Sequence, residues 1–402
     1  MSADGSAPIY VVWEITLRCD LSCGHCGSRA GKPRTDELRT EEALDVVRQL
    51  AEMGAREVTL IGGEAYLRAD WTDIARAIVA RGMRCTMTTG GRGVTPERAR
   101  MAKDAGMSAV SVSLDGMNEA HDRQRGLEGS FDAALAALEN LRAAGVTIDV
   151  NTQLNRISFP HLDALVDLLI AKQVRGWQVQ LTVPMGRAAD RPEWLFQPYE
   201  LLDVYPKLAA LAERARAGGV MIWPANNIGY FGPHEAILRG SGVDSDFHWS
   251  GCPAGTRAMG IESDGTIKGC PSLPTAEWGG GSSRETPLQK IWDETKELRY
   301  TRDRTAADLW GFCKDCYYAD GCRAGCTWTS HVFFGKPGNN PYCHHRALEH
   351  DARGLRECLV QRKAAPGTPF DHGEFDVIVE AKDSDTPDVR ATDDARVRLP
   401  IV

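Results

Sequence analysis

Hydrophobic and polar residues alternate in a repeating pattern of short strands and amphipathic helices between residues 10 and 225. The first strand-like segment is YVVWEITL (10–17), and in the next segment Leu44, Val47 and Leu50 recur at helical spacing. Five more strand-like segments begin near residues 57, 85, 109, 147 and 176, and a helix-like segment follows each of them. Such alternation predicts a parallel sheet with right-handed crossovers. We therefore expect an α/β fold of six β/α units, either a partial barrel or a doubly wound sheet.

The pattern changes near residue 226, which predicts a domain organisation in four parts. We expect a barrel domain over 1–225, a linker over 226–249, a cysteine-rich domain over 250–358 and a polar, mobile tail over 359–402. In the cysteine-rich part, AMGIESDGTIKGC predicts a β-hairpin that turns at Asp264-Gly265, accompanied by short helices. Within the tail, EFDVIVEAK is the one segment that could add a short edge strand.

Charge and hydropathy narrow the class of protein. The 402 residues carry a formal net charge of −8 without a long basic run, which argues against nucleic-acid binding. No apolar run reaches the ~18 residues of a membrane span, and no secretory signal precedes the first strand. We therefore expect a cytoplasmic protein without a membrane partner. Because that compartment keeps thiols reduced, clustered cysteines among the twelve point to metal chemistry rather than disulfides.

Three cysteines lie within the eight residues CDLSCGHC, directly after the first predicted strand. Cys19, Cys23 and Cys26 have the spacing C-x3-C-x2-C. A zinc site would need a fourth ligand, and the only nearby candidate is His25, which is awkwardly placed beside Cys26. An iron–sulfur cluster held by three thiolates would leave one iron open to another ligand. The spacing favours the cluster over zinc.

This spacing, followed by GGEA (62–65), resembles the radical S-adenosylmethionine (radical SAM) superfamily. The resemblance implies a partial (β/α)6 TIM-like barrel. It also implies that Cys19, Cys23 and Cys26 form the catalytic centre by holding a 4Fe–4S cluster whose open iron binds SAM. Reductive cleavage of SAM in that family yields a 5′-deoxyadenosyl radical, which abstracts a hydrogen atom from the substrate.

The resemblance also assigns SAM contacts near the carboxyl ends of successive strands. Gly62, Gly63 and Glu64 would receive the SAM amino group, although Ala65 stands where the family has proline. His25 occupies the aromatic position that usually precedes the third cysteine. The remaining contacts are expected from TTGG, SLDG, RQRG and PMGRA, and their residues are Thr88, Ser113, Asp115, Arg125 and Arg187. Arg125 would pair with the SAM carboxylate, whereas Thr89 departs from the common Thr-Asn-Gly.

A second cysteine group resembles the SPASM extension of radical SAM enzymes, a domain with two auxiliary 4Fe–4S clusters. A pair of zinc ribbons is the alternative, but paired C-x2-C motifs do not predict these seven cysteines and their gaps. By position, the resemblance assigns to the outer cluster Cys313, Cys316, Cys322 and Cys343. It assigns to the inner cluster only Cys252, Cys270 and Cys326, so its fourth ligand is open. With the N-terminal cluster, three 4Fe–4S clusters are expected.

The resemblance implies radical chemistry and leaves the substrate open. We expect an oxidoreductase that matures a ribosomally synthesised precursor peptide by a C–C, thioether or C–O crosslink or by oxidation. Pro271 counts against sulfatase maturation, because those relatives have an aspartate at that position. Alternatives are a peptide epimerase, a small-molecule oxidase or epimerase and, more remotely, a non-catalytic iron–sulfur electron-transfer scaffold.

The expected partners are the precursor peptide and a flavodoxin or ferredoxin-type reductant. Only about nine residues precede the first strand, so leader recognition is expected from a separate protein. Two cysteines lie outside both groups. Cys85 is predicted to be a buried strand residue, with a hydrogen-atom donor to a product radical as the alternative. Cys358 falls in a segment predicted to be helical.

Overall fold

A computed structural model describes residues 5–240 and 248–384. The chain forms two compact units, each assembled from separate segments: unit 1 from 1–114, 121–151 and 253–303, and unit 2 from 115–120, 152–252 and 304–402. Part of the predicted linker (241–247) and the end of the predicted tail (385–402) lie outside the described residues. The domain boundaries at 225, 249 and 358 stay predictions.

The described residues contain eleven strands and fourteen α-helices. The strands are β1 Tyr10–Thr16, β2 Glu57–Gly62, β3 Arg84–Thr89, β4 Ala109–Ser113, β5 Thr147–Leu154, β6 Gly176–Leu181, β7 Met221–Pro224, β8 Ala258–Ile261, β9 Ile267–Lys268, β10 Leu355–Lys363 and β11 Glu374–Ala381. The helices are α1 Thr40–Glu52, α2 Trp71–Ala80, α3 Pro96–Asp104, α4 Asn118–Arg125, α5 Ser130–Ala143, α6 Leu162–Ala171, α7 Leu201–Ala217, α8 Glu235–Arg239, α9 Thr275–Trp278, α10 Leu288–Glu294, α11 Lys296–Asp303, α12 Ala319–Cys322, α13 Thr327–Phe334 and α14 His344–Ala352.

Unit 1 contains a sheet with the strand order β5-β4-β3-β2-β1-β8-β9. The first five strands are parallel, and β8 also lies parallel to β1, with Trp13 opposite Leu60 of β2 and Ile261 of β8. The predicted hairpin forms between β8 and β9, and Gly265 at its turn has φ +89°. The hairpin therefore extends the sheet beyond β1, and the predicted α/β class with a partial TIM-like barrel is confirmed.

Two helices of unit 1 pack directly on this sheet, α2 against β3 and α5 against β4. Helix α1 buries Ala43, Val46, Val47 and Leu50. Of the three residues whose spacing predicted the helix, Val47 and Leu50 are therefore buried, and Leu44 is half-buried. Cys85 on β3 is fully buried, as predicted. Helix α4 was not predicted, because its sequence NEAHDRQR lacks a periodic apolar face.

Unit 2 contains strand β7, which the sequence did not predict and which lies parallel to β6. It also contains a second sheet, in which β10 and β11 are antiparallel and Cys358 lies opposite Ile378. The segment EFDVIVEAK, expected as a possible edge strand, forms β11, so strands occupy 359–363 and 374–381 of the expected tail. Cys358 lies in a strand, not in the predicted helix. Hydrogen bonds fix this hairpin: Gly186 N donates to Asp371 O at 2.7 Å, and Gln361 donates to Ala189 O at 2.9 Å.

No described helix is long and apolar enough to cross a lipid bilayer.

Candidate active site

The N-terminal cysteine loop, residues 19–26, follows the carboxyl end of β1 and is closed by the segment after it. Cys19 N donates to Gly31 O, and Gly31 N donates to Leu17 O, both at 3.0 Å. Hydrogen bonds to the sulfurs come from Leu21 N to Cys19 (3.4 Å), from Ala30 N to Cys26 (3.4 Å) and from Arg125 Nη1 to Cys23 (3.7 Å). Because N–H donors stabilise thiolates, the loop suits metal ligation.

The end of helix α4 supports this loop. Gln124 O accepts a hydrogen bond from Gly24 N at 2.7 Å, and Arg125 is buried against Cys23. Gly126 follows with φ +67°, and a Cβ there would lie 2.6 Å from Ser22 O. The motif RQRG therefore positions the loop through backbone contacts as well as through the arginine.

Glu64 lies directly after β2 and is 2% exposed. Its carboxylate accepts hydrogen bonds from the Thr89 hydroxyl and from Gly90 N, the latter at 2.7 Å. One carboxylate oxygen lies within 4.8 Å of Cys19 Sγ and of an Asp20 oxygen. Burial raises the pKa of Glu64 to about 7, and burial with the nearby Glu64 charge raises that of the Cys19 thiol to about 12. A cation that entered beside Glu64 would favour the carboxylate form.

The two glycines before Glu64 have a packing role. A Cβ on Gly62 would lie 2.2 Å from Thr16 O, and one on Gly63 would lie 2.1 Å from Arg18 O. Only glycine therefore lets this turn approach the end of β1. The close approach brings Glu64 to the cysteine loop.

The structure places Thr89, the neighbour of the predicted SAM contact Thr88, against Glu64, and the role of Thr88 toward SAM stays a prediction. Adjacent strand residues face opposite sides of a sheet, so only one of the two can reach the carboxylate. Sequence reasoning also missed Asp20 and Tyr66. The Tyr66 hydroxyl donates to Asp20 at 3.2 Å and accepts from Gly93 N at 3.0 Å. The sequence signal that could have identified them is their position, because Asp20 directly follows Cys19 and Tyr66 lies two residues after Glu64.

The other predicted SAM contacts lie at strand ends or nearby loops. Ser113 ends β4 and is buried. Asp115 is fully buried and accepts a hydrogen bond from Gln153 N at 2.8 Å within unit 2. Arg187 lies in a short 3-10 helix after β6, and His25 is half-buried in the cysteine loop. Their roles toward SAM stay predictions.

The four cysteines predicted for the outer cluster line one pocket in unit 2, with an empty volume of about 360 Å³. Cys313 lies in a 3-10 helix, Cys322 ends α12 and Cys343 precedes α14. Aromatic rings of Phe231 and Tyr318 stack at 4.1 Å in the pocket wall.

Backbone N–H groups donate to two of the four sulfurs of this pocket, from Asn340 to Cys313 (3.5 Å) and from Tyr318 to Cys316 (3.4 Å). The Cys343 thiol itself donates to Tyr230 O at 3.9 Å. Four convergent thiols with amide donors match the donor set of a cluster with four cysteine ligands. We refer to these four cysteines and their wall as the outer pocket.

The three cysteines predicted for the inner cluster are divided between the units. In unit 2, Cys326 precedes α13, and burial together with the neighbouring Cys252 raises its pKa to about 11. Cys270 follows β9 and belongs to unit 1. The ligation of an inner cluster by these three cysteines stays a prediction.

Comparison with known proteins places the chain in a family. The sequence model of the radical SAM superfamily matches residues 13–169. An AdoMet-dependent heme synthase from Methanosarcina barkeri is 30% identical over 367 residues, which cover 86% of this chain and 99% of that protein. The chain belongs to the radical SAM superfamily. A SPASM model, described as an iron-sulfur cluster-binding domain, matches residues 252–317.

Other radical SAM relatives include peptide-modifying enzymes. Mycofactocin maturase MftC from Mycolicibacterium smegmatis is 30% identical, covering 84% of this chain and 83% of that protein. Streptococcus suis SuiB bound to its precursor peptide SuiA has the same fold, with a TM-score of 0.67 and 17% sequence identity. The match covers 84% of this chain and 76% of the SuiB chain. Native anSMEcpe with bound AdoMet also has this fold, with a TM-score of 0.65 and 15% sequence identity. The match covers 85% of this chain and 95% of that chain. The chain is thus a SAM-binding enzyme with iron–sulfur clusters.

Proposed function

We propose that this radical SAM enzyme cleaves SAM at the N-terminal cysteine loop and modifies a ribosomally synthesised precursor peptide by crosslinking or oxidation. The observation that carries the first half is the buried Glu64 carboxylate beside Cys19. The second half is supported by the similarity to the maturase MftC along 84% of the chain.

Each part of the site has a task in this proposal. Cys19, Cys23 and Cys26 would hold a 4Fe–4S cluster, which supplies the electron for SAM cleavage when bound. Glu64 would accept the SAM ammonium group, oriented by Thr89 and Gly90. Arg125 holds a positive charge at Cys23, where it stabilises the thiolate and could reach the SAM carboxylate.

A tetrapyrrole substrate is the second candidate. It is favoured by the heme synthase relative, of which this chain covers 99%. A porphyrin is a rigid macrocycle and a precursor peptide is a flexible chain, so one assay with two substrates can separate them.

The test uses the anaerobically reconstituted enzyme with SAM and dithionite. We expect 5′-deoxyadenosine, and its absence from fully loaded protein would overturn the proposal. Co-expression with a short peptide encoded beside the gene should reduce the peptide mass by two hydrogens per crosslink. An unchanged mass with deuterium uptake would indicate epimerisation. Conversion of an iron porphyrin, with every peptide unchanged, would establish the tetrapyrrole substrate.

A further inference from the structure

The outer pocket lies beside a buried ion pair that the proposed chemistry does not use. Arg346, in the first turn of α14, and Glu357, on β10, are 3% and 4% exposed. Two guanidinium nitrogens each donate to a Glu357 oxygen at 2.6 Å. Burying such a pair is costly and often gives no net stability over apolar residues. Its position therefore suggests a role other than stability.

The guanidinium of Arg346 lies against the wall of the outer pocket. Its central carbon is 5.1 Å from the centroid of the Phe312 ring, which lines the pocket next to Cys313. The ion pair thus places its cation beside residues that line the pocket.

The same arginine fixes the adjacent asparagines. Its Nη1 donates to Asn339 Oδ1 at 2.6 Å and to Asn340 O at 3.1 Å. Asn340 is 1% exposed, lines the outer pocket and donates its backbone N–H to Cys313.

The side chain of Asn340 is oriented as a donor. Its Oδ1 accepts from Tyr342 N at 2.9 Å, so a flip of the amide would lose that hydrogen bond. Its Nδ2 is buried and makes no hydrogen bond to any of residues 5–240 and 248–384. Because buried N–H groups are almost always paired, an acceptor at the pocket would complete the arrangement.

We propose that Arg346 and Asn340 are positioning residues that raise the reduction potential of the outer cluster, so that it accepts electrons more readily. The proposal rests on the proposed ligation of that cluster. A reduced cluster carries one more negative charge, and both a nearby guanidinium and N–H donors to its sulfurs stabilise that charge.

The test measures the midpoint potential of the outer cluster by EPR-monitored redox titration of full-length protein. Cys19, Cys23 and Cys26 are all changed to alanine to remove the N-terminal signal. The outer signal is the one that disappears when Cys316→Ala is added. Asn340→Leu removes the donor at similar volume. R346M/E357M replaces the whole ion pair, and R356M/E380M, a pair in the same hairpin, is the control.

In R346M/E357M we expect a lower midpoint, with the ratio of reduced to oxidised cluster at the parental midpoint falling about tenfold (~59 mV for one electron). Asn340→Leu should also lower the midpoint potential, by a smaller amount than R346M/E357M does. The control R356M/E380M should leave the midpoint unchanged. Equal midpoints with full iron content would overturn the proposal. Loss of the outer cluster from both variants would also overturn it, because the residues would then hold the cluster rather than tune it. SAM cleavage is measured separately on the native protein, so its failure is distinguishable.

Discussion

The N-terminal cysteine loop and the outer pocket use the same ligand type in opposite electrostatic surroundings. The loop offers three thiols beside the carboxyl groups of Asp20 and Glu64. The outer pocket offers four thiols, and the guanidinium of Arg346 lies against the Phe312 ring of its wall. Four thiolates complete a cluster, whereas three leave a vacancy beside a carboxylate that favours a cationic ligand. The difference separates a proposed reaction centre from a proposed electron acceptor.

The largest expected effect comes from removing one thiol from each region. Cys23→Ala should reduce 5′-deoxyadenosine formation to background, because the SAM-binding cluster loses a ligand. Cys316→Ala should lose iron from the outer pocket and retain SAM cleavage in the absence of substrate. Chromatography of deoxyadenosine, with iron analysis, measures both. Equal loss of cleavage in the two variants would contradict the division of roles.

Support of the loop by helix α4 is tested with two glycines of the same conformation. Gly126 (φ +67°) and Gly129 (φ +77°) would both incur a left-handed strain of about 1–2 kcal/mol on change to alanine. Only at Gly126 would the Cβ also meet Ser22 O, whereas nothing lies within 4 Å at Gly129. Gly126→Ala should therefore cost about 1–3 kcal/mol more in unfolding free energy and reduce iron at the N-terminal loop. Equal denaturation midpoints and iron contents would refute this support.

Glu14 lies on β1, the strand that leads into the N-terminal cysteine loop, and its carboxyl group should make the free energy of unfolding depend on pH. Burial raises the pKa of Glu14 on β1 from 4.5 to about 7, although Arg34 lies 3.2 Å away. Because the folded pKa is raised, the contribution of Glu14 to stability is fully present below pH 4.5 and is lost as pH rises through about 7. Glu14→Gln should remove this pH dependence, which amounts to up to roughly 3 kcal/mol of unfolding free energy.

Chemical denaturation across that pH window measures the effect of Glu14, with the exposed Glu41→Gln as control. A stability profile for Glu14→Gln parallel to that of the native protein would show that Glu14 does not titrate on unfolding.

The smallest effect distinguishes the two threonines of β3. Thr89→Val removes the hydroxyl that donates to Glu64 and should weaken SAM binding about fivefold, corresponding to about 1 kcal/mol. Thr88→Val, on the opposite face, should leave the affinity unchanged. Equilibrium dialysis of SAM with reconstituted protein measures both, and a larger effect at Thr88 would favour the sequence-based assignment.

Much of the fold and the cysteine chemistry could be predicted because their signals are local. Strand and helix periods identified β1 to β6 and their helices, and a turn of Asp264-Gly265 identified the hairpin of β8 and β9. Cysteine spacing identified the three thiols that one loop presents after β1, since neighbours in such a short loop cannot lie far apart. Prediction failed at polar helix α4, which lacks a periodic apolar face, and at β10, where Cys358 was placed in a helical segment, whereas EFDVIVEAK did indicate β11.

Sequence alone determined strands β1 to β6, the order of the cysteine groups and the position of Glu64 after β2. Only the tertiary structure decided that Thr89 rather than Thr88 faces Glu64, that β8 pairs with β1, and that Arg346 binds Glu357 beside the outer pocket. The physical reason is distance along the chain: local periods fix strands and turns, whereas partners that lie tens to hundreds of residues apart are chosen by packing and burial.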